Sequence, residues 1–118
     1  RALARAGAQL LVTVAANMDP YGPDHALAAR ARALDNRRPH LYVNRVGEEA
    51  GLRFVGGSAV IGPDGAPVAE LGEGRQLAVV EFPLADAVSD AVDYLAQVRD
   101  LQVAAEPFTH AHGEPHEQ

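Results

Sequence analysis

The sequence predicts a layered α/β fold, and three features of the 118-residue chain carry that expectation. The run Gln9-Leu-Leu-Val-Thr-Val-Ala15 is nearly all apolar and rich in β-branched residues, as in a strand covered on both faces. A helical stretch and a second apolar run come after it at short spacing, the order of a βαβ crossover. Further along, Gly62-Pro-Asp-Gly65 separates two extended segments, as in a β-hairpin.

Taken in order, Arg1-Ala-Leu-Ala-Arg-Ala6 is made of helix formers, and Gly7 is its stop. No Ser, Thr, Asp or Asn precedes it to accept the free N–H groups of a first turn. The sequence is therefore expected to begin inside a helix of a longer parent. After the first strand comes Asn17-Met-Asp-Pro-Tyr-Gly-Pro-Asp24, a loop dense in turn residues that ends on Asp24 as the next N-cap. A helix is expected from about His25 to Arg37, with Leu27, Arg30, Ala31 and Leu34 at helical spacing and Pro39 as its end. His40-Leu-Tyr-Val-Asn-Arg45 is the second strand. Gly47, Gly51, Gly56 and Gly57 break the next stretch into a turn and a short extended piece. The hairpin joins Ser58-Ala-Val-Ile61 to Ala66-Pro-Val-Ala-Glu-Leu71, and Gln76-Leu-Ala-Val-Val-Glu-Phe82 is expected to be a further strand. Pro83 suits the first turn of a last helix whose apolar face is Leu84, Val88, Ala91, Val92, Leu95 and Val98. One domain segment, residues 1–104, is expected, with a polar tail over 105–118.

Composition removes whole classes of function. The chain has no cysteine, and all 10 of its basic residues are arginine. A disulfide framework, a thiol nucleophile, a Schiff-base lysine and a phosphate-loop lysine are all excluded within it. A formal charge of -6 argues against nucleic acid as a partner. No apolar run approaches the ~20 residues of a membrane helix, and no signal-peptide pattern opens the chain, so a cytoplasmic address is the default.

Three clusters, in this order and spacing, resemble the C-terminal part of the nitrilase superfamily of carbon–nitrogen hydrolases. Arg1-Ala-Leu-Ala-Arg-Ala-Gly-Ala8 leading into Leu10-Leu-Val is similar to the helix and strand after the family's nucleophilic cysteine. Ala31-Arg-Ala-Leu-Asp-Asn36, then Tyr42-Val-Asn-Arg-Val-Gly47, is similar to the family's Arg-Ala-x-Glu-Asn helix end and Asn-Arg-x-Gly strand end. Phe54-Val-Gly-Gly-Ser58 with Val60-Ile-Gly-Pro-Asp-Gly65 resembles the Gly-x-Ser strand and its hairpin. Asp35 stands where the family usually has Glu. Tyr94-Leu95 and Arg99 resemble the closing region of the family, which Gln102 and Val103 interrupt.

The resemblance implies part of a four-layer α-β-β-α sandwich, incomplete in this chain, in a homodimer or higher assembly. It implies hydrolysis of a non-peptide C–N bond by a Glu–Lys–Cys triad, without a cofactor. A thiolate attacks the carbon and forms a thioester, a carboxylate moves the proton, and the lysine with a backbone N–H steadies the oxyanion. All three triad residues precede the matched region, in agreement with the absence of Cys and Lys, so no catalytic residue is assigned here. The resemblance also places the loop after the first strand against the substrate. Asn17-Met-Asp-Pro-Tyr21 is similar to a Met-Glu-Pro-Tyr stretch in members acting on aliphatic amides, including 5-aminopentanamidases. Asn17, Met18, Asp19 and Tyr21 are the candidate substrate-binding residues, with Asp19 or Tyr21 holding a polar or cationic substrate end. The alternative for the same residues is a turn with an Asp cap and a packed Tyr. The implied parent is an amidase acting on a small aliphatic amide, with nitriles and N-carbamoyl compounds next. A different class stays open beside it, a non-catalytic α/β binding module from a degenerate homologue.

Other candidates carry less. Asn44 and Arg45 either face the cleft or brace a loop. Arg32 and Asp35, three apart on a helix, suit a structural ion pair. Glu48 and Glu49 are adjacent in an extended segment and point to opposite faces, a poor acid–base pair. His110, His112 and His116 lie in the polar tail without fixed geometry, so no metal site is expected. The glycines lack the order of a dinucleotide fingerprint.

Overall fold

A computed structural model of the chain describes residues 1–84. The expected last helix and the polar tail lie outside the described residues. The described elements run α1 (Ala2–Arg5), β1 (Leu11–Ala15), α2 (Gly22–Asn36), β2 (His40–Asn44), β3 (Val46–Glu49), β4 (Leu52–Val55), β5 (Ala59–Ile61) and β6 (Pro67–Glu70). This is the α/β fold that the sequence predicts. A four-stranded sheet has the order β1-β2-β5-β6, and β3 and β4 form a separate two-stranded ribbon. β1 and β2 are parallel through the α2 crossover, while β2–β5 and β5–β6 are antiparallel.

Helix α2 starts three residues earlier than expected. Its N-cap is Tyr21 and Pro23 sits in the first turn, so Asp24 lies inside the helix rather than capping it. There its carboxylate faces the positive end of the helix dipole, and Pro23 occupies a position whose missing N–H costs nothing. The C-terminus is closed by Arg37 in the left-handed region (φ 48), which lets Arg37 and Arg38 donate backbone bonds to Leu34 and Ala33. No ion pair joins Arg32 to Asp35. Instead the Asp35 carbonyl accepts from Arg1 Nη1 at 2.8 Å, tying α1 to the end of α2.

Small residues let α2 lie close on the sheet. Ala29 and Ala33 are buried against Tyr42 and Ile61, with Ala15 and Ala59 at the margin. Register explains the set, because Tyr42 faces Ala59 and His40 faces Ile61 across the β2–β5 ladder. Burying Tyr42 and Ile61 is worth roughly 1.5–3 kcal/mol each. His40 is buried with both ring nitrogens engaged, Nδ1 with the Ala29 carbonyl at 3.0 Å and Nε2 with Thr13 Oγ1 at 2.9 Å.

The other face of the sheet departs from expectation. β1 alternates in burial rather than being covered on both sides, with Val12 55 % and Val14 82 % exposed. A layer covers a sheet face only where an element packs on it, and among the described residues α2 packs on one face alone. On the open side Leu41, Val43, Val60 and Ala69 line a cavity of about 430 Å³, which Leu77 and Val80 border. The expected strand over 76–82 does not form, since among the described residues no ladder partner pairs with it and Leu77 and Val79 stay exposed. β-branched sequence supplies propensity, but a strand needs a neighbouring edge to take up its backbone groups.

The Gly62-to-Gly65 turn forms as predicted. Gly65 donates to the Gly62 carbonyl at 2.9 Å and Gly62 to the Ala66 carbonyl at 2.8 Å. Gly65 has φ +78, and a Cβ there would meet the Arg30 carbonyl and Leu34 at 3.2 Å. The turn therefore docks on α2, where Arg30 Nε donates to the Gly65 carbonyl at 2.9 Å.

Candidate substrate loop

Residues 17–21 leave the C-terminal end of β1 beside the β3–β4 ribbon, a hairpin that the glycine pattern alone divides only into a turn and an extended piece. Ala50 (φ 50) and Gly51 (φ 79) make a two-residue turn between Glu49 and Leu52, both in the left-handed region. That is the twist-matched hairpin turn. Its usual signature is Asn-Gly or Asp-Gly, so Ala50 conceals it.

The loop is zipped along β4. Val55 N–H donates to the Asn17 carbonyl at 3.3 Å, Asp19 N–H donates to the Arg53 carbonyl at 3.0 Å, and Met18 pairs with Phe54 between them. Backbone bonds at alternate residues hold the chain as a short irregular strand. The Asp19–Pro20 peptide is cis, and Tyr21 N–H closes the turn on the Met18 carbonyl at 2.9 Å.

Asn44 holds the base of the loop. Its Oδ1 accepts from Asn17 N–H at 2.7 Å, and its Nδ2 donates to the Asn17 carbonyl at 3.2 Å and the Gly56 carbonyl at 2.8 Å. The residue is buried, so a carboxamide with both donors and acceptor matched suits the position. Ser58 Oγ accepts from Asn44 N–H at 2.9 Å and also reaches the Asn44 carbonyl at 3.3 Å. Asn44 thus braces three segments. Arg45 lies 4.2 Å from the Phe54 ring centroid and pairs with Glu49 at 2.5 Å.

The four candidate residues divide. Asn17 turns its side chain inward, where Nδ2 donates to the Tyr42 hydroxyl at 2.7 Å. Met18 is half-buried over the ribbon. Asp19 is exposed and its Oδ2 accepts from Arg53 Nη1 at 2.6 Å. Tyr21 is 54 % exposed, and its hydroxyl has no hydrogen-bond partner among the described residues. Nothing in the sequence singles out Arg53 or Glu73. Arg53 Nη2 also pairs with Glu73 Oε2, so one guanidinium ties the loop to the segment after β6. The hydrogen bond to Asp19, and then the charge of Glu73, hold the Arg53 guanidinium above its usual pKa. No spacing rule could find this triad, because its members are 34 and 20 residues apart. Gly47, Glu48, Arg53, Phe54 and Glu73 line a cleft of about 200 Å³ beside the loop. Among the described residues no group of three or more His, Cys, Asp or Glu could hold a metal ion, and no helix is long and apolar enough to cross a membrane.

Residues 1–91 match the carbon-nitrogen hydrolase family model. The chain belongs to the carbon-nitrogen hydrolase family. Among its curated relatives, an (R)-stereoselective amidase from a Pseudomonas species is 40 % identical over 116 residues. That match takes in 96 % of this chain and 42 % of the relative, so the chain spans about two fifths of the relative's length. A probable nitrilase from Schizosaccharomyces pombe is 40 % identical over 70 residues, covering 59 % of this chain and 26 % of that protein. Among solved structures, a cysteine-to-alanine variant of the Nesterenkonia AN1 amidase, from the nitrilase superfamily, superposes with a TM-score of 0.65 at 41 % identity. It covers 83 % of this chain and 35 % of that one. A CN-hydrolase superfamily protein from Xanthomonas campestris gives a TM-score of 0.56 at 35 % identity, covering 57 % of this chain and 26 % of that chain. The layered fold is therefore the nitrilase-superfamily fold over the shared part, and the strand-end motif containing Asn44 serves as a brace in this member of the carbon-nitrogen hydrolase family.

Proposed function

We propose that the full-length protein is an amidase that hydrolyses a small aliphatic amide to a carboxylate and ammonia. The observation that carries this reading is the 40 % identity to an amidase across 96 % of the chain. The Nesterenkonia amidase has been solved with butyramide, and also with the acetamide moiety of fluoroacetamide joined to its active-site cysteine. Those two ligands support a primary aliphatic amide as the substrate class and a cysteine as the nucleophile, and attack of that thiolate on an amide carbon leads to a thioester. The thiolate attacks the amide carbon, the C–N bond breaks as ammonia takes a proton from a carboxylic acid, and water then cleaves the thioester.

This chain has neither cysteine nor lysine, so nucleophile and oxyanion lysine belong to residues outside it. Its own contribution is the wall of the substrate pocket. The brace from Asn44 and the pairing with β4 fix the 17–21 loop, and Met18, Asp19 and Tyr21 are the groups the loop offers to an acyl chain. Asn17 acts from behind, through Tyr42. The same reading has the protein working as a cytoplasmic homo-oligomer of a dimer or more, which sedimentation of the full-length protein tests.

The test of activity is ammonia release from butyramide by the full-length protein, with mass spectrometry of the protein quenched during turnover. The expected result is hydrolysis, with a mass increase equal to the butyryl group that disappears when the nucleophilic cysteine is changed to alanine. A full-length protein that folds, binds the amide and releases no ammonia is instead the non-catalytic binding module.

A further inference from the structure

We propose that Arg53 sets which charge of amide the enzyme accepts, by offsetting the carboxylates of Asp19 and Glu73 at the edge of the substrate loop. This rests on the reading of the 17–21 loop as a substrate wall. Three observations carry it. Arg53 reaches Asp19 through one nitrogen and Glu73 through the other, so both carboxylates share a single cation. Glu48 stands opposite Arg53 in the β3–β4 register and lines the same cleft, which brings three carboxylates to one guanidinium. The neighbouring Arg45 is engaged by Glu49 and Phe54.

An amide whose acyl chain ends in an ammonium group has to displace Arg53 from Asp19 to gain an ion pair there. An uncharged acyl chain has no such competitor. With Arg53 in place the pull of these carboxylates on a cationic chain is held down, and without it the local charge becomes more negative by one unit and a cationic chain is drawn in more strongly. A guanidinium is charged at every working pH, so the effect does not depend on titration of Arg53. The side chains of Arg53 and Asp19 are about half exposed, so solvent screens the effect to a moderate size.

The experiment measures kcat/KM of the full-length enzyme for butyramide and for 5-aminopentanamide. The wild type is compared with Arg53→Gln, Arg53→Lys, Asp19→Asn and the Arg53→Gln, Asp19→Asn double variant. In Arg53→Gln the cationic-to-neutral ratio is expected to rise at least about threefold, mainly through KM, and to shrink at about 0.5 M salt. Arg53→Lys keeps the ratio near the wild-type value, Asp19→Asn lowers it, and the double variant returns it towards wild type. A loss equal for both amides in Arg53→Gln would mean a structural strut only, and an unchanged ratio overturns the proposal outright. Should Arg53→Gln fail to fold, Asp19→Asn decides alone, because its ratio has to fall. A wild type that hydrolyses neither amide removes the amidase reading itself, an outcome distinct from failure of the Arg53 variants.

Discussion

Asn44 grips Asn17 by both polar groups of its main chain, with Oδ1 2.7 Å from the Asn17 N–H donor and Nδ2 3.2 Å from the Asn17 carbonyl. A side-chain amide here completes, for one residue, the hydrogen bonding that the ladder of β1 gives up where the loop departs. The loop's conformation is in this way written into a buried position of the neighbouring strand.

Replacing Asn44 with alanine strands the Asn17 N–H and the Gly56 carbonyl. The expected cost is about 2–3 kcal/mol in unfolding free energy of the full-length protein, measured by urea denaturation. If the 17–21 loop walls the substrate pocket as proposed, the KM for butyramide rises with it, because that loop loses its anchor. Asn44→Asp is expected to be no better, since a carboxylate has no proton to donate to two carbonyl oxygens.

Tyr42→Phe separates the hydroxyl from the ring. The ring stays packed on Ala29, Ala33 and Ile61, and only the bond from Asn17 Nδ2 is lost. A loss of about 1 kcal/mol is expected, against about 3–5 kcal/mol for Tyr42→Ala. Equal losses in the two variants would show that the hydroxyl, not the ring, dominates.

Gly56 lies at φ +64, and a Cβ on it would come within 2.6 Å of the Gly72 carbonyl and 2.8 Å of Val46. Both conflicts act together in Gly56→Ala, with a cost of roughly 2–4 kcal/mol. Thermal unfolding reads it. Because Gly56 also accepts from Asn44, the variant should weaken amide binding as well.

Ala50 bears a left-handed backbone without the freedom of glycine or the local bonding of asparagine. Ala50→Gly is expected to stabilise the ribbon by about 0.5–1 kcal/mol, seen as a higher urea midpoint with unchanged slope. An unchanged or lower midpoint would count against the two-residue turn.

The βαβ crossover, the hairpin at Gly62 to Gly65 and the family motifs are all legible because each depends on residues near one another in the chain. Helical spacing, β-branched runs and turn glycines are local signals. The same holds for the 17–21 loop as a place, since a turn-rich segment after a strand is visible as such. The strand expected over 76–82 misleads for the complementary reason, as propensity is local but pairing is not.

What sequence alone determined here is the kind of fold, the exclusion of cysteine and lysine chemistry within the chain, and the position of the loop after β1. Tertiary structure decided which loop residues face inward and which outward. Asn17 is turned to Tyr42 across 25 residues, Asn44 clamps it across 27, and Asp19 is met by Arg53 across 34. Such contacts arise only when strand register brings distant segments together, so no periodicity in the chain announces them.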